Sequence, residues 1–574
     1  MLAELCDVNA AENARLHLRC IEWVHGGNES NNMEALDCEV LIVGAGPTGL
    51  AAALALSAQG VRVAIVDEAP ERHREARASA VHARTLELLA PFGVADRIAA
   101  YATAIHRVRF FASDGREIMR RDFHAIDSPY PPLQNVQQWR TEALLDDQLL
   151  MRGVVVERGT RFESLTQDAT GVEVVLADAH GERRVRSAFV VAADGAHSGV
   201  RRALGLSMKG SDYPERWIAG ELNVSEGTTT TESQILFEPD RVSLQFPLDH
   251  GRLFFATLKE DELPGQSRGH AAPEEVARIY HSGFGRHAHL GADVRAIPWS
   301  SLFVMHQCTV PDYRLGRIFL AGDAAHLSSA AGGNGMNAGI GDGMNLAWRI
   351  AAHLRLGASA AILDGYSLDR HEHFEHVNAS SDAAHRLLAA HDPTCFKVNA
   401  PRGIGAALSR VFSHASSGPA LVDRELGETS LALTRDPAFV DHVANPTTGA
   451  IRAGMRVPTL ADFSIGFGAP RPWCALFDGF RWTLVLAIPS RDSIRAKHVE
   501  DLETIVLPRL KGRVRTVVAA GDAFAWNAPR PTLSLIRPDG IVAYREDCAP
   551  GGIPDGARLS AWLDRFFPAV DALR

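Results

Sequence analysis

Several short apolar runs in the first part of this chain stop at a glycine or an acid. Val40-Leu-Ile-Val43 precedes Gly44, Val61-Arg-Val-Ala-Ile-Val66 precedes Asp67, Ala188-Phe-Val-Val-Ala-Ala193 precedes Asp194, and Ile318-Phe-Leu-Ala321 precedes Gly322-Asp323. Runs of this length between turn residues predict buried strands. An alanine- and leucine-rich stretch between the first two predicts a helix ending near Gly60. Alternating segments follow: Val155-Val-Glu, Val172-Glu-Val-Val-Leu, Ile218 to Val224, Val242 to Phe246 and Leu253 to Leu258. They predict a second β-rich region, interleaved with the first at about 105–185 and 207–300. Near the C-terminus, Trp482 to Ala487, Arg515 to Ala519, Thr532 to Ile536 and Ile541 to Tyr544 read as strands, the last two joined by the turn Pro538-Asp-Gly540. The stretch from Gly322 through Ser329, Gly332, Gly333, Gly335 and Asn337 predicts a loop, with a helix starting near Asp342.

Residues 44–49, Gly-Ala-Gly-Pro-Thr-Gly, stand between the first strand and the first helix. Gly44 suits the tight turn, Gly46 the close approach of a pyrophosphate, Gly49 helix packing, and Asp67 the ribose hydroxyls, with Pro47 and Thr48 opening the helix. Glu68 could take the place of Asp67. This is a Rossmann-like α/β fingerprint for an ADP-containing cofactor, and by itself it does not distinguish NAD from FAD. Asp323 ends its strand in the same manner, where a doubly wound sheet binds ligands.

The 574 residues suffice for two or three domains, and a net charge of -10 without a basic cluster argues against nucleic acid. The seven cysteines are scattered without CxxC spacing, so neither disulfides nor a metal site is expected and a cytoplasmic setting fits. No run of about eighteen apolar residues predicts a membrane span. Residues 1–36 read as a disordered or mis-assigned extension, with Met33 as a candidate start and Gly26 to Asn32 linker-like in composition.

Arg77-Ala with His82 and Arg84 in the following loop, Gln138 four residues before Glu142, Asp194-Gly195, Gly322-Asp-Ala-Ala-His326 and the loop to Asn337 occur in a characteristic order. Together they resemble the single-component FAD-dependent aromatic monooxygenases, flavoprotein hydroxylases with the p-hydroxybenzoate hydroxylase fold. The resemblance covers roughly residues 38–390. It implies FAD as cofactor and NADPH or NADH as a transient donor, in keeping with the lack of a second fingerprint. It also implies hydroxylation of a phenolic or related aromatic substrate with dioxygen through a flavin 4a-hydroperoxide. Gly44, Gly46, Gly49 and Asp67 would hold the ADP half, Arg77 and Asp194 the pyrophosphate region, Gln138 the ribityl chain or ring, and Asp323 the ribityl hydroxyls. Backbone at Gly335, Met336 and Asn337 would face the flavin's pyrimidine edge.

The C-terminal part resembles the thioredoxin-like domain of the phenol hydroxylase and 3-(3-hydroxyphenyl)propionate hydroxylase types. That implies residues 37–390 as the FAD-binding domain with its interleaved substrate sheet, 391–450 as a helical or loop linker and 451–574 as the thioredoxin-like domain. Cys474 lacks a CxxC partner, leaving packing or homodimer contacts as that domain's role. Two departures stand out. Ser329 occupies the place of a family proline near the flavin's reactive edge, and Ser79 that of an aspartate of phenol hydroxylase. Ser329 therefore raises a second reading, Baeyer–Villiger or epoxidation-type oxygenation of a polycyclic ketone or quinone. With that aspartate absent, His82, and after it His326, are the candidate substrate-side bases. Trp217, Phe246, Phe254 and Trp299 are candidate pocket walls.

Overall fold

The computed structural model describes residues 36–72, 78–123, 126–131, 133–225, 232–249, 251–259, 271–330, 333–389, 433–442, 451–457, 462–465, 471–488, 496–520, 531–547 and 556–568. Arg77, the expected extension up to residue 35, and residues 391–432 and 443–450 of the expected linker lie outside them.

Strand Cys38–Val43 lies in the first sheet between Val63–Asp67 and Gly181–Ala192, parallel to both. Ile318–Leu320 joins Gly181–Ala192 in parallel, and Val156–Arg158 joins Val63–Asp67. The central stretches 40–43, 65–66, 188–192 and 318–320 are apolar and buried, as a sheet covered on both faces requires. The register sets Val43 beside Ala192 and Val66, and Ala192 beside Leu320. Gly44, Asp67, Asp194 and Asp323, distant in sequence, therefore emerge along one carboxyl edge.

Helix Pro47–Ala58 opens with Pro47 in its first turn, where a missing N–H costs nothing, and is buried from Gly49 to Leu56. Helix Asn334–Ala351 crosses it. It begins well before Asp342, and this corrects the expected loop. The glycines there are helical because the crossing is tight: a Cβ at Gly343 would stand 2.8 Å from the Thr48 carbonyl oxygen and 3.0 Å from the Ala52 nitrogen. Gly333, at φ +65°, supplies the left-handed residue before the first turn.

Among the described residues the second sheet has eight strands, in the order His326–Leu327, Val294–Thr309, Lys209–Val224, Arg252–Lys259, Arg241–Pro247, Glu232–Phe237, Arg107–Phe111 and Glu117–Asp122. The strands around Val155 and Val172 do not belong to it, contrary to the expected boundaries. Val156–Arg158 extends the first sheet, and Arg161–Gln167 with Val172–Asp178 forms an antiparallel extension of Gly181–Ala192. Alternation foretells a strand but not the sheet it joins. Helix Pro273–Ser282 closes one face of the second sheet through Val276, Ile279 and Tyr280, packed on Ile218, Leu222 and Phe255. The other face is aromatic: Trp217, Phe246, Phe254, Trp299 and Phe303 share one cluster with Met305 and Leu388.

A third sheet lies toward the C-terminus. Trp482–Ile488 pairs in parallel with Val514–Ala520 across helix Ala496–Arg509, and antiparallel with Thr532–Ile536. The predicted hairpin Thr532–Ile536 and Val542–Asp547 turns at Gly540, φ +78°. Buried charges tie this turn to the first region. Asp539 accepts from Asn345 and Trp348 at 3.2 and 3.1 Å, while Asp369 holds Arg349 and Arg537, each at 2.7 Å.

Candidate active site at the shared sheet edge

At the carboxyl edge the chain turns back on itself at Gly44, whose φ is +102° and whose Cβ would stand 2.8 Å from the Asp194 nitrogen. Only glycine fits there. A Cβ at Gly49 would overlap the Gly44 carbonyl, whereas one at Gly46 would meet nothing within 4 Å. The space beside Gly46 is the approach a diphosphate needs. Asp67 is half-buried, its Oδ2 accepting from Ala45 N at 2.6 Å and its Oδ1 from Ala69 N at 2.9 Å. These bonds fix the carboxylate against the glycine turn, and each oxygen keeps a lone pair for a ribose hydroxyl. Glu68 is exposed beyond the strand end.

Thr48 packs under Gly322, bringing the fingerprint helix against the Gly322-Asp323 turn. Within residues 321–326 Asp323 is exposed while its neighbours are buried, so the turn presents one carboxylate outward. Gly335 faces open space and Met336 is half-buried at the start of the next helix. The Asn337 side chain works inward, accepting from His82 N at 3.0 Å and Thr85 Oγ1 at 2.7 Å and donating to the Ala80 and Gly333 carbonyls. These residues fit FAD: open backbone at Gly46 and Gly335, an anchored acid at Asp67 and an outward acid at Asp323.

Gln138 opens helix Gln138–Leu150, and its Nε2 donates to Glu142 Oε1 at 2.8 Å. Burial pushes the Glu142 carboxyl up. Asp194 Oδ2 accepts from Val200 N at 3.1 Å, and burial pushes its carboxyl up too. Arg201 donates to the Ala324 and Ala196 carbonyls at 3.0 and 2.7 Å, lashing the Asp194 loop to the Asp323 turn.

The three candidate substrate-side residues have separate surroundings. His82 is fully buried in strand Ala80–His82 beside Gly333. His326 is architectural rather than a free base: its Nε2 lies 2.7 Å from Asp342 Oδ2, and its ring packs 5.6 Å from Tyr313 and 5.0 Å from Phe374. Asp342, wholly buried, also accepts from Gly322 N at 2.8 Å and Arg370 Nε at 2.5 Å. Burial raises its carboxyl, but His326 and Arg370 outweigh this and hold it well below the ordinary range. Ser329 is buried with its Oγ 3.0 Å from His385 Nδ1, and His385 Nε2 is 3.3 Å from Glu215 Oε2. Sequence reading missed His385 and Glu215. They lie on a helix and a strand far from Ser329, and no motif marks them.

Residues 37–381 match the FAD binding domain family. The chain is 29% identical over 384 residues to the 3-(3-hydroxy-phenyl)propionate/3-hydroxycinnamic acid hydroxylase of Comamonas testosteroni, spanning 64% of this chain and 62% of that protein. It is 30% identical over 590 residues to the tetracenomycin B2 monooxygenase-dioxygenase of Streptomyces olivaceus, across 92% of this chain and all of the relative. Aklavinone-11 hydroxylase, solved with FAD and aklavinone, superposes with a TM-score of 0.71 at 26% identity, covering 93% of this chain and 99% of the other. The glycine turn, the two strand-end acids and these likenesses agree, and the chain belongs to the FAD binding domain family, among flavin-dependent aromatic monooxygenases.

Proposed function

We propose that this protein hydroxylates a phenolic, fused-ring aromatic compound with NAD(P)H and dioxygen. The observation that carries the reading is the joint presentation of open Gly46 and outward Asp323 on one sheet edge, clamped together by Thr48 against Gly322. A dehydrogenase needs the first of these but not the second. Bound FAD would supply the oxygen-activating redox chemistry. Asp67 would hold its ribose, Gly46 its diphosphate, Asp323 the hydroxyls of its sugar-alcohol chain, and the backbone at Gly335 to Asn337 its ring edge. The aromatic face of the second sheet, with Trp217, Phe246, Phe254 and Trp299, would exclude water and orient a flat substrate. Two relatives support the reading, one named a tetracenomycin B2 monooxygenase-dioxygenase and one an aklavinone-11 hydroxylase solved with FAD and aklavinone.

The C-terminal sheet is read as thioredoxin-like. A parallel strand–helix–strand pair, an antiparallel hairpin and a closing helix, Ala557–Phe566, support that reading.

The test is a panel of phenols and hydroxyquinones screened for stimulated NAD(P)H oxidation, with mass spectrometry under labelled dioxygen. A product that gains one labelled oxygen is expected. If FAD is bound and reducible yet no product gains oxygen, the proposal falls.

A further inference from the structure

Ser329, Met305, His385 and Glu215 meet where the segment after His326, the second sheet and the far end of helix Ala361–Ala389 converge. Ser329 Oγ lies 3.0 Å from His385 Nδ1 and 3.1 Å from Met305 Sδ, and His385 Nε2 lies 3.3 Å from Glu215 Oε2. A neutral His385 with its proton toward Glu215 offers Nδ1 as an acceptor, and the Ser329 hydroxyl points at it. Once Nδ1 is protonated it donates to Ser329 Oγ, and the hydroxyl hydrogen turns to the Met305 sulfur. The hydroxyl therefore has a second acceptor waiting, and Glu215 stands ready to hold the imidazolium.

A second observation points to a ligand. The Trp217 indole packs 6.0 Å from the His385 ring and is 2% exposed, yet its N–H has no hydrogen-bond partner among the described residues. Leaving such a donor buried costs about 1–3 kcal/mol, so an oxygen of a water or a ligand is its expected partner. Trp217 and Met305 belong to the aromatic face of the second sheet, so donor, relay and flat apolar wall lie together.

We propose that Ser329, His385 and Glu215 form a proton relay serving the hydroxyl of a planar, fused-ring substrate, with the Trp217 N–H meeting one of its oxygens. This rests on the oxygenase reading above. The substrate O–H gives its proton to Ser329 Oγ while the Ser329 proton passes to His385 Nδ1. Two O–H bonds break and one O–H and one N–H form, leaving a phenolate and an imidazolium paired with Glu215. No electrons are exchanged. The ionised ring is the electron-rich partner that hydroxylation requires. Among the described residues, the ionisable groups in contact with His385 include Glu215 and Tyr213, whose tilted ring is 3.7 Å away. Asp382, on the same helix as His385, accepts from the Tyr213 hydroxyl at 2.9 Å. Glu215 Oε2 is placed to accept from His385 Nε2.

Alizarin, a dihydroxyanthraquinone whose ionised form absorbs at longer wavelength, tests the relay in FAD-loaded protein without turnover. Bound to the wild type it is expected to ionise about one pH unit or more below the free dye. His385→Gln and Ser329→Ala should still bind it but return the midpoint to its free value. Glu215→Gln, altering a partly exposed side chain, should return it at least halfway and carries the test if His385→Gln does not fold. Failure to bind, a bound dye with the free midpoint, or a midpoint unmoved by these variants overturns the relay. Flavin content and reduction by NAD(P)H, measured on the same samples, keep the two readings apart. An unshifted dye on reducible holoprotein sinks the relay alone, and protein that does not hold reducible FAD sinks the oxygenase reading.

Discussion

His326 and His385 flank one short segment, residues 326–329, and their surroundings differ in kind. His326 faces a carboxylate that is wholly buried and held also by Gly322 N and Arg370, and its ring is packed between Tyr313 and Phe374. His385 faces a Glu215 side chain that is 17% exposed, at a longer 3.3 Å, and a hydroxyl with two acceptors to choose from. A fully satisfied buried network has one arrangement and rigidifies what it touches. A hydroxyl within reach of both a histidine nitrogen and a thioether has two orientations, and moving between them moves a proton. Proximity to the cofactor edge thus does not make a histidine a base, and what its partner can do is the better guide.

The sharpest break in this comparison is Asp342→Ala. Removing one member of a buried pair leaves the other uncompensated and costs about 3–5 kcal/mol. Gly322 N loses its acceptor next to Asp323, so flavin retention should fall as well. The folded carboxyl is depressed below its unfolded value, so its stabilisation is full above the ordinary carboxylate range, roughly pH 4, and is lost as pH falls below it. Urea unfolding should therefore show a wild-type advantage that is large at neutral pH and narrows in acid. Equal midpoints at neutral pH would remove Asp342 as the anchor.

Asp323→Ala examines the other side of the same turn. The exposed carboxylate should matter to the ligand and little to the fold. Losing hydrogen bonds to a charged group is worth about 1.5–3 kcal/mol, roughly 10- to 150-fold in FAD affinity. Apoprotein stability should stay within about 0.5 kcal/mol. Calorimetry of FAD binding to apoprotein reads the first and thermal unfolding the second. A loss of stability matching Asp342→Ala would erase the distinction between anchor and ligand face.

What could be read beforehand follows the same division. The glycine turn, Asp67, Asp194 and Asp323 are local signals, each a strand and the residue that ends it, so sequence places them at the edge. The glycine-rich stretch before Asp342 misled because glycine reads as loop, whereas Gly335 and Gly339 are helical, and close contact with Thr48 is what requires glycine at 339. Val156–Arg158 was assignable as a strand but not to its sheet, because pairing with Val63–Asp67 is a long-range choice. The relay was illegible, since Ser329 and His385 are 56 residues apart, and His385 and Glu215 are 170. Periodicity carries no information over such separations.

The smallest expected effect is also the most discriminating. Trp217→Phe removes a buried N–H that has no partner among the described residues and keeps most of the ring against Met305 and Phe303. Two terms then oppose each other in the free protein. Relief of the unpaired donor is worth about 1–3 kcal/mol, and the smaller ring forfeits packing of similar size. The thermal midpoint should hardly move, in contrast to a truncation of Asp342, which holds His326, Gly322 and Arg370 together. With a ligand oxygen present the donor acquires a purpose, so alizarin affinity should drop several-fold while the unliganded protein is unchanged. A variant that loses stability without losing affinity would place Trp217 with the architectural residues and leave the relay without its second contact.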